Sequence, residues 1–348
     1  MESTELTKRE RRVLEAVIRS YVQTAEPAGS RTLSRRFGLG VSPATIRNTM
    51  SDLEEKGFLF HPHTSAGRVP TGKAYRVYVD SLLSLPPIVT PDNERLTEGL
   101  TGGSGPSAIE TILRRAAQTL GVLTQELGVA LGPRLDASLL QRLDLVRVSS
   151  ERLLMVLTLQ GGVARTVFVE VPGEIADSAL AHVTAVLNER LAGLTLAEIR
   201  RSLPSRLRDT GSDSTTSELL NIFVQEADQL FDGALSSSSD VLLGTASILA
   251  EQPEFAGAGP MRRLLALTET PEALGEVIRR RVNRPGITIT IGAEHQDPRF
   301  EDFTVVSAEY TAGALTGVIG VIGPTRMPYD KVISLVNHTS RLLSDLLE

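Results

Sequence analysis

The sequence predicts a multidomain α/β protein: an N-terminal winged helix-turn-helix, then an α/β domain interrupted by a mostly helical block. Three observations predict it. Within the first 70 residues, three short helical patterns separated by turn signals lead into a two-stranded loop. Beyond residue 106 the order is a long helix, three strands, a mostly helical stretch, three more strands and a closing helix. Charge is also divided unevenly. Residues 1–80 hold 13 Lys/Arg against 9 Asp/Glu, a net +4, while the rest of the 348-residue chain carries −10 within an overall −6. A small basic head on a larger acidic body is the asymmetry of a polyanion-binding module joined to something else.

Each element has a local cause. Thr7-Lys8-Arg9-Glu10 is a capping-box pattern, and Val13, Leu14, Val17, Ile18 and Tyr21 follow at helical spacing. That helix stops before Glu26-Pro27-Ala28-Gly29. Ser30 is placed to cap a short second helix with Leu33 and Phe37 inward, and Gly38-Leu39-Gly40 makes the turn. Ser42-Pro43 opens a third helix, with Ser as N-cap and Pro in the first turn, and Gly57 ends it. Phe58–Phe60 and Arg68-Val69 read as strands flanking a polar loop, and Thr71–Leu83 as a connecting helix. Leu85-Pro86-Pro87 and Gly102-Gly103-Ser104-Gly105 mark residues 84–106 as a linker.

A second capping box, Ser107-x-x-Glu110, opens a long helix whose buried face runs from Ile109 to Leu127. Strands follow at Leu143–Ser149, Arg152–Gln160 and Val163–Val171, with Gly161-Gly162 as a hairpin turn. Helical patterns then cover Ile175–Leu191, Thr195–Leu203 and Glu218–Leu235, and Asp209–Ser217 reads as a loop. After further helices near 261–267 and 271–282, strands return at Ile287–Ile291, Phe303–Tyr310 and Leu315–Ile322 before the amphipathic helix Tyr329–Leu347. The central block therefore reads as an insertion with limits near 174 and 283. Its helices 176–191 and 218–235 are apolar enough for an interface between copies or for ordinary core.

The third helix carries the chemistry. At about 100° per residue, Ile46, Met50 and Leu53 cluster on one side, which is the core side. Toward its N-terminus the outward set is Ser42, Ala44, Thr45, Arg47 and Asn48. Base contacts come from that part of such a helix: Asn pairs with adenine, Arg with guanine, and Ala or Thr touches a thymine methyl. Ser30, Arg31, Thr32 and Arg35 on the second helix are placed for a backbone phosphate. Wing residues His63, Thr64, Ser65 and Arg68, with Lys73 and Arg76 beyond them, extend that phosphate-contacting set.

Other functions find little support. No cysteine is present, which excludes disulfides, thiolate nucleophiles and Cys-ligated metals. His61-x-His63 has no third ligand nearby, so no metal is expected. There is no Walker loop, zinc-protease motif or nucleophile elbow, and Gly313, Gly317 and Gly320 lie across a turn and strand rather than opening a helix. Gly323-Pro324-Thr325-Arg326 reads as a turn and helix start with Arg326 in an internal pair. No catalytic residue and no cofactor are expected. The N-terminus lacks a signal-peptide pattern and no apolar run is long enough to span a membrane, so a cytoplasmic protein is expected.

Ser42-Pro43-Ala44-Thr45-Ile46-Arg47-Asn48, Asp52–Gly57, Pro62–Pro70 and Tyr75-Arg76-x-Tyr78-Val79-Asp80 together resemble the HrcA family of heat-inducible transcription repressors. Gln252-Pro253-Glu254-Phe255 and Ile322–Met327 with Tyr329 carry the resemblance to the far end of the chain. Thr49 departs from it, standing where Glu is commoner.

The resemblance implies a repressor of chaperonin and Hsp70-system operons that binds an inverted-repeat operator. It implies a homodimer, and activity maintained by the chaperonin and lost on heat stress. The expected organisation is a winged helix over 1–83, a linker over 84–106, a GAF-like domain over 107–173 and 283–348, and a dimerisation domain inserted at 174–282. The alternative is a winged-helix regulator gated by a small molecule in the GAF-like domain. A Leu/Val/Ile-rich, aromatic-poor body predicts a pocket filled by side chains instead.

Overall fold

The computed structural model describes residues 6–63, 67–84, 91–101, 109–133, 135–136, 138–160, 164–173, 175–207, 214–232, 241–279, 286–313 and 315–347. They fall into two compact units. One comprises 1–130, 241–310 and 318–343, the other 131–240, 311–317 and 344–348.

The first unit begins with three helices followed by two short paired strands. Helix α1 (Lys8–Thr24) starts at a formed capping box: Thr7 N donates to Glu10 Oε2 at 2.7 Å and Glu10 N to Thr7 Oγ1 at 3.2 Å. Glu10 also receives Lys56 Nζ at 2.6 Å, and that bond holds its carboxyl below the ordinary range. The start of α1 is thereby tied to the end of the third helix. Helix α2 spans Ser30–Arg36 and α3 spans Pro43–Glu55. Strands β1 (Leu59–Phe60) and β2 (Val69–Pro70) pair antiparallel, and an Ala28–Arg68 bridge anchors the wing to the loop before α2. Helix α4 (Gly72–Leu83) is capped by Thr71, whose hydroxyl also donates to Gly57 O at 2.9 Å.

Two departures from the sequence reading follow. The expected linker contains a helix, α5 (Pro91–Thr101), which packs on α6 (Ile109–Thr124). Leu96 and Leu100, one turn apart, are buried, and Asp92 and Glu94 favour its first turn. The rest of that stretch, 85–90 and 102–108 with Ser107 of the expected capping box, lies outside the described residues. Leu127 is not on the long helix. The chain turns at Gln125 (φ 62°) and enters a fully buried strand, β3 (Leu127–Leu131). Gly128 allows this, since a Cβ there would run into the Ala117 carbonyl of α6.

The second unit has its own three-stranded antiparallel sheet, β4 (Leu140–Arg147), β5 (Arg152–Leu159) and β6 (Ala164–Glu170). Helices α7 (Asp177–Leu191), α8 (Leu196–Leu207), α9 (Ser214–Gln225) and α10 (Ala227–Leu230) share a core with it. Leu143, Met155 and Leu157 meet Val183, Leu187, Ile199 and Phe223 there. The apolar faces of α7 and α9 are thus core. The other face of the sheet carries an apolar row, Val146, Leu154 and Phe168 in register, with Val146 and Phe168 about half exposed. Residues 161–163, including the expected Gly161-Gly162 turn, and 208–213 lie outside the described residues.

The first unit resumes with β7 (Val241–Leu243), α11 (Ser247–Ala250), a 3-10 turn at Pro253–Phe255, α12 (Ala258–Glu269) and α13 (Pro271–Arg279). Strands β8 (Ile287–Ile291), β9 (Phe303–Ala312) and β10 (Leu315–Pro324) precede α14 (Tyr329–Leu347). The sheet order is β7-β3-β10-β9-β8. The observed units therefore divide near 131 and 240, whereas the sequence reading placed limits near 174 and 283. The reason is pairing: β4–β6 form a sheet of their own and bury one face under α7–α10, while α11–α13 stay with the five-stranded sheet. Gly320 on β10 sits against the Val306 carbonyl with no room for a Cβ, so it is a packing glycine within the sheet.

Candidate nucleic-acid interface

Helix α3 is oriented from both ends and from below. Ser42 caps it, accepting from Thr45 N at 3.1 Å, and Pro43 occupies the first turn. Ile46 and Leu53 are fully buried and Met50 nearly so. Those anchors leave Ser42, Ala44, Arg47 and Asn48 exposed, with Thr45 half-buried beside Ser42 (hydroxyls 2.9 Å apart). Thr49, the departure from the family pattern, is buried and bonds back to Thr45 O at 3.0 Å, away from the exposed face.

The flanking residues divide into two groups. Arg31, Thr32 and Arg35 are exposed on α2, as is His63 on the wing. Thr64 and Ser65 lie outside the described residues. Ser30, expected to cap α2, is instead its first helical residue and is buried, with Gly29 at the cap. Three of the expected phosphate contacts are engaged within the chain. Arg68 pairs with Glu54 at 2.7 Å, and Lys73 donates to Lys56 O at 2.9 Å with its ammonium 4.3 Å from the Phe58 ring centre. Arg76 points to the body: Nε reaches Glu294 Oε1 at 2.8 Å and Nη2 reaches Ile289 O at 2.8 Å, so its guanidinium is committed away from α3.

Sequence reasoning missed most of a second polar cluster, where the head meets the five-stranded sheet of the same unit. Arg326 has the internal partner expected of it, Glu254, and also donates to Val22 O near the end of α1 at 2.7 Å. Next to it Glu126 is buried and accepts from Gln252 Nε2 at 3.2 Å. Burial holds its carboxyl well above the ordinary carboxylate range. Besides the internal pair expected of Arg326, the sequence signal was the run Gln252–Phe255, which carries Gln252 and Glu254.

Glu126 makes stability pH-dependent. Above the ordinary carboxyl range the unfolded chain has lost this proton while the folded chain keeps it, so stability falls as pH rises through that window. Glu126→Gln keeps the shape without the ionisation. It is expected to raise the melting temperature at pH 8 and to change it little at pH 4. Thermal unfolding at both pH values checks this, and equal shifts at both would refute it.

Among the described residues no group of three or more His, Asp or Glu is placed to hold a metal ion, and no helix is long and apolar enough to cross a membrane. The family model described as "HrcA protein C terminal domain" matches residues 110–333. The heat-inducible transcription repressor HrcA of Chlorobium chlorochromatii is 39 % identical over 348 residues, covering 100 % of this chain and 99 % of that protein. The protein of the same description from Geobacter sulfurreducens is 36 % identical, covering 99 % of each chain. A crystal structure of a hypothetical protein, 23 % identical with TM-score 0.67 and covering 99 % of each chain, has the same fold. Relatives at this identity over the whole length, with a family model spanning the body, establish that the chain belongs to the HrcA family of heat-inducible transcription repressors.

Proposed function

We propose that this heat-shock repressor acts as a homodimer whose two winged helices read an inverted-repeat operator upstream of chaperonin and Hsp70-system genes. The observation that carries the reading is the exposed Ala44-Arg47-Asn48 face on the capped N-terminal half of α3, seated on Ile46, Met50 and Leu53. Asn48 and Arg47 supply base readout, and Ala44 and Thr45 apolar contact to thymine methyls. Arg31, Thr32 and Arg35, with Ser42 at the helix start, hold the flanking phosphates, and His63, Thr64 and Ser65 bring the wing alongside. Arg68 and Lys73 add positive potential from engaged positions, and Arg76 leaves the set.

The homodimer is assigned to the inserted unit, through the Val146-Leu154-Phe168 row of its sheet rather than through α7 and α9. The chaperonin keeps the repressor active, and heat, by filling the chaperonin with unfolded clients, relieves repression. Footprinting on the promoter of the chaperonin operon tests both parts. Protection of an inverted repeat that strengthens when chaperonin is added is the expected result. Protection of no symmetric site, or indifference to chaperonin, contradicts the corresponding part.

A further inference from the structure

The winged helix and the five-stranded sheet belong to one compact unit, and two arginine struts join them. The first is Arg326, in the loop between β10 and α14. Its Nη1 donates to Val22 O at 2.7 Å, in the last turn of α1, where backbone carbonyls lack intrahelical partners. Its Nε and Nη2 grip both oxygens of Glu254, the latter at 2.9 Å. Glu254 is itself fixed, because it sits on the turn Pro253–Phe255, whose Phe255 ring stacks on Phe303 of β9 at 5.6 Å. The second strut runs from α4 to β8: Arg76 bonds Glu294 and Ile289 O, and Ile291 N donates to Glu294 at 2.9 Å. Between the struts the Tyr75 and Tyr329 rings meet at 5.7 Å.

We propose that Arg326 and Arg76 are positioning residues that fix the angle at which α3 is presented, so that recognition of a paired site depends on them and recognition of one half-site does not. The inference rests on the operator reading above. Its physical basis is the difference between direction and stability. Ion pairs that are partly desolvated contribute little net stability, because desolvation offsets the Coulomb attraction. A planar guanidinium held at two or three oxygens does set direction, which a ring contact alone does not. The Arg326 and Glu254 side chains are 14 % and 26 % exposed, so the first strut is such a pair. A dimer reading two half-sites gains from the second contact only if both heads arrive at the right angle.

The test compares the full-length parent with Arg326→Gln, Glu254→Gln, the double variant and Arg76→Gln. Each is titrated against the footprinted operator, a duplex carrying one half-site, and operators with two base pairs inserted or removed between half-sites. We expect half-site affinity within about twofold of the parent for every variant, and about a tenfold loss on the full operator. The parent's penalty for altered spacing should shrink in the variants. Arg326→Gln/Glu254→Gln should be no worse than either single variant, since both remove one strut. Parent-like affinity and spacing preference in the variants would overturn the proposal. So would an equal loss on half-site and full operator, which would make the arginines part of the head's folding or, for Arg76, a phosphate contact. A parent that does not prefer the inverted repeat over a scrambled duplex sinks the operator reading itself, a separate result.

Discussion

Asn48→Ala is expected to lower affinity for the operator by roughly ten- to a hundredfold while leaving affinity for a scrambled duplex unchanged. The side chain is exposed, and the helix is held by its cap and by Ile46, Met50 and Leu53. A fold defect therefore cannot account for a selective loss. A bidentate Asn–adenine pair is worth about 1–3 kcal/mol of discrimination, and a dimer loses it twice. Arg35→Ala is the companion control. As a phosphate contact it should weaken both duplexes alike and reduce the dependence of binding on salt concentration. Fluorescence anisotropy at two ionic strengths separates the cases. If Asn48→Ala bound the operator like the parent, α3 would not be reading bases through this face.

The sequence was informative where structure is decided locally. The capping box at Thr7, the cap and proline at Ser42-Pro43 and the apolar triad of α3 each act within a few residues, and each appears where it was expected. Which side of α3 is exposed, and so proposed to read bases, follows from those alone. Elements fixed by distant partners were not legible. Helix α5 lies between Pro- and Gly-rich stretches, and its reason to exist is the surface of α6. Strand β3 continues an apolar run from the preceding helix, so periodicity alone does not separate the two. The grouping of β4–β6 with α7–α10 depends on which strands hydrogen-bond, and alternation within a strand is silent on that. Arg76 shows the same limit at a single residue. On a surface helix next to a basic head it reads as a phosphate contact, yet besides Asp80 one turn along its helix it pairs with Glu294, 218 positions away.

Phe168→Asp is expected to convert the proposed dimer to a monomer at micromolar concentration and to lower operator affinity by about a hundredfold or more, with half-site affinity unchanged. The row Val146-Leu154-Phe168 faces away from the core of its unit, and Phe168 is 53 % exposed with Arg152 lying 4.5 Å over its ring. An apolar strip on a sheet face, bordered by the Arg142–Asp144 pair and charged strand ends, has the form of an interface core with a polar rim. Substitution at so exposed a site removes no core contact, so the monomer should retain its secondary structure. The loss of affinity follows from charge. A head of only +4 attracts DNA weakly, and the chain as a whole is acidic, so one head has little non-specific binding to fall back on. In the proposed dimer, specific occupancy then depends on two heads acting at the effective concentration that dimerisation provides. Sedimentation analysis beside anisotropy decides the matter. A Phe168→Asp chain that stays dimeric moves the interface elsewhere, and one that is monomeric yet binds the operator like the parent removes the dimer from the mechanism of repression.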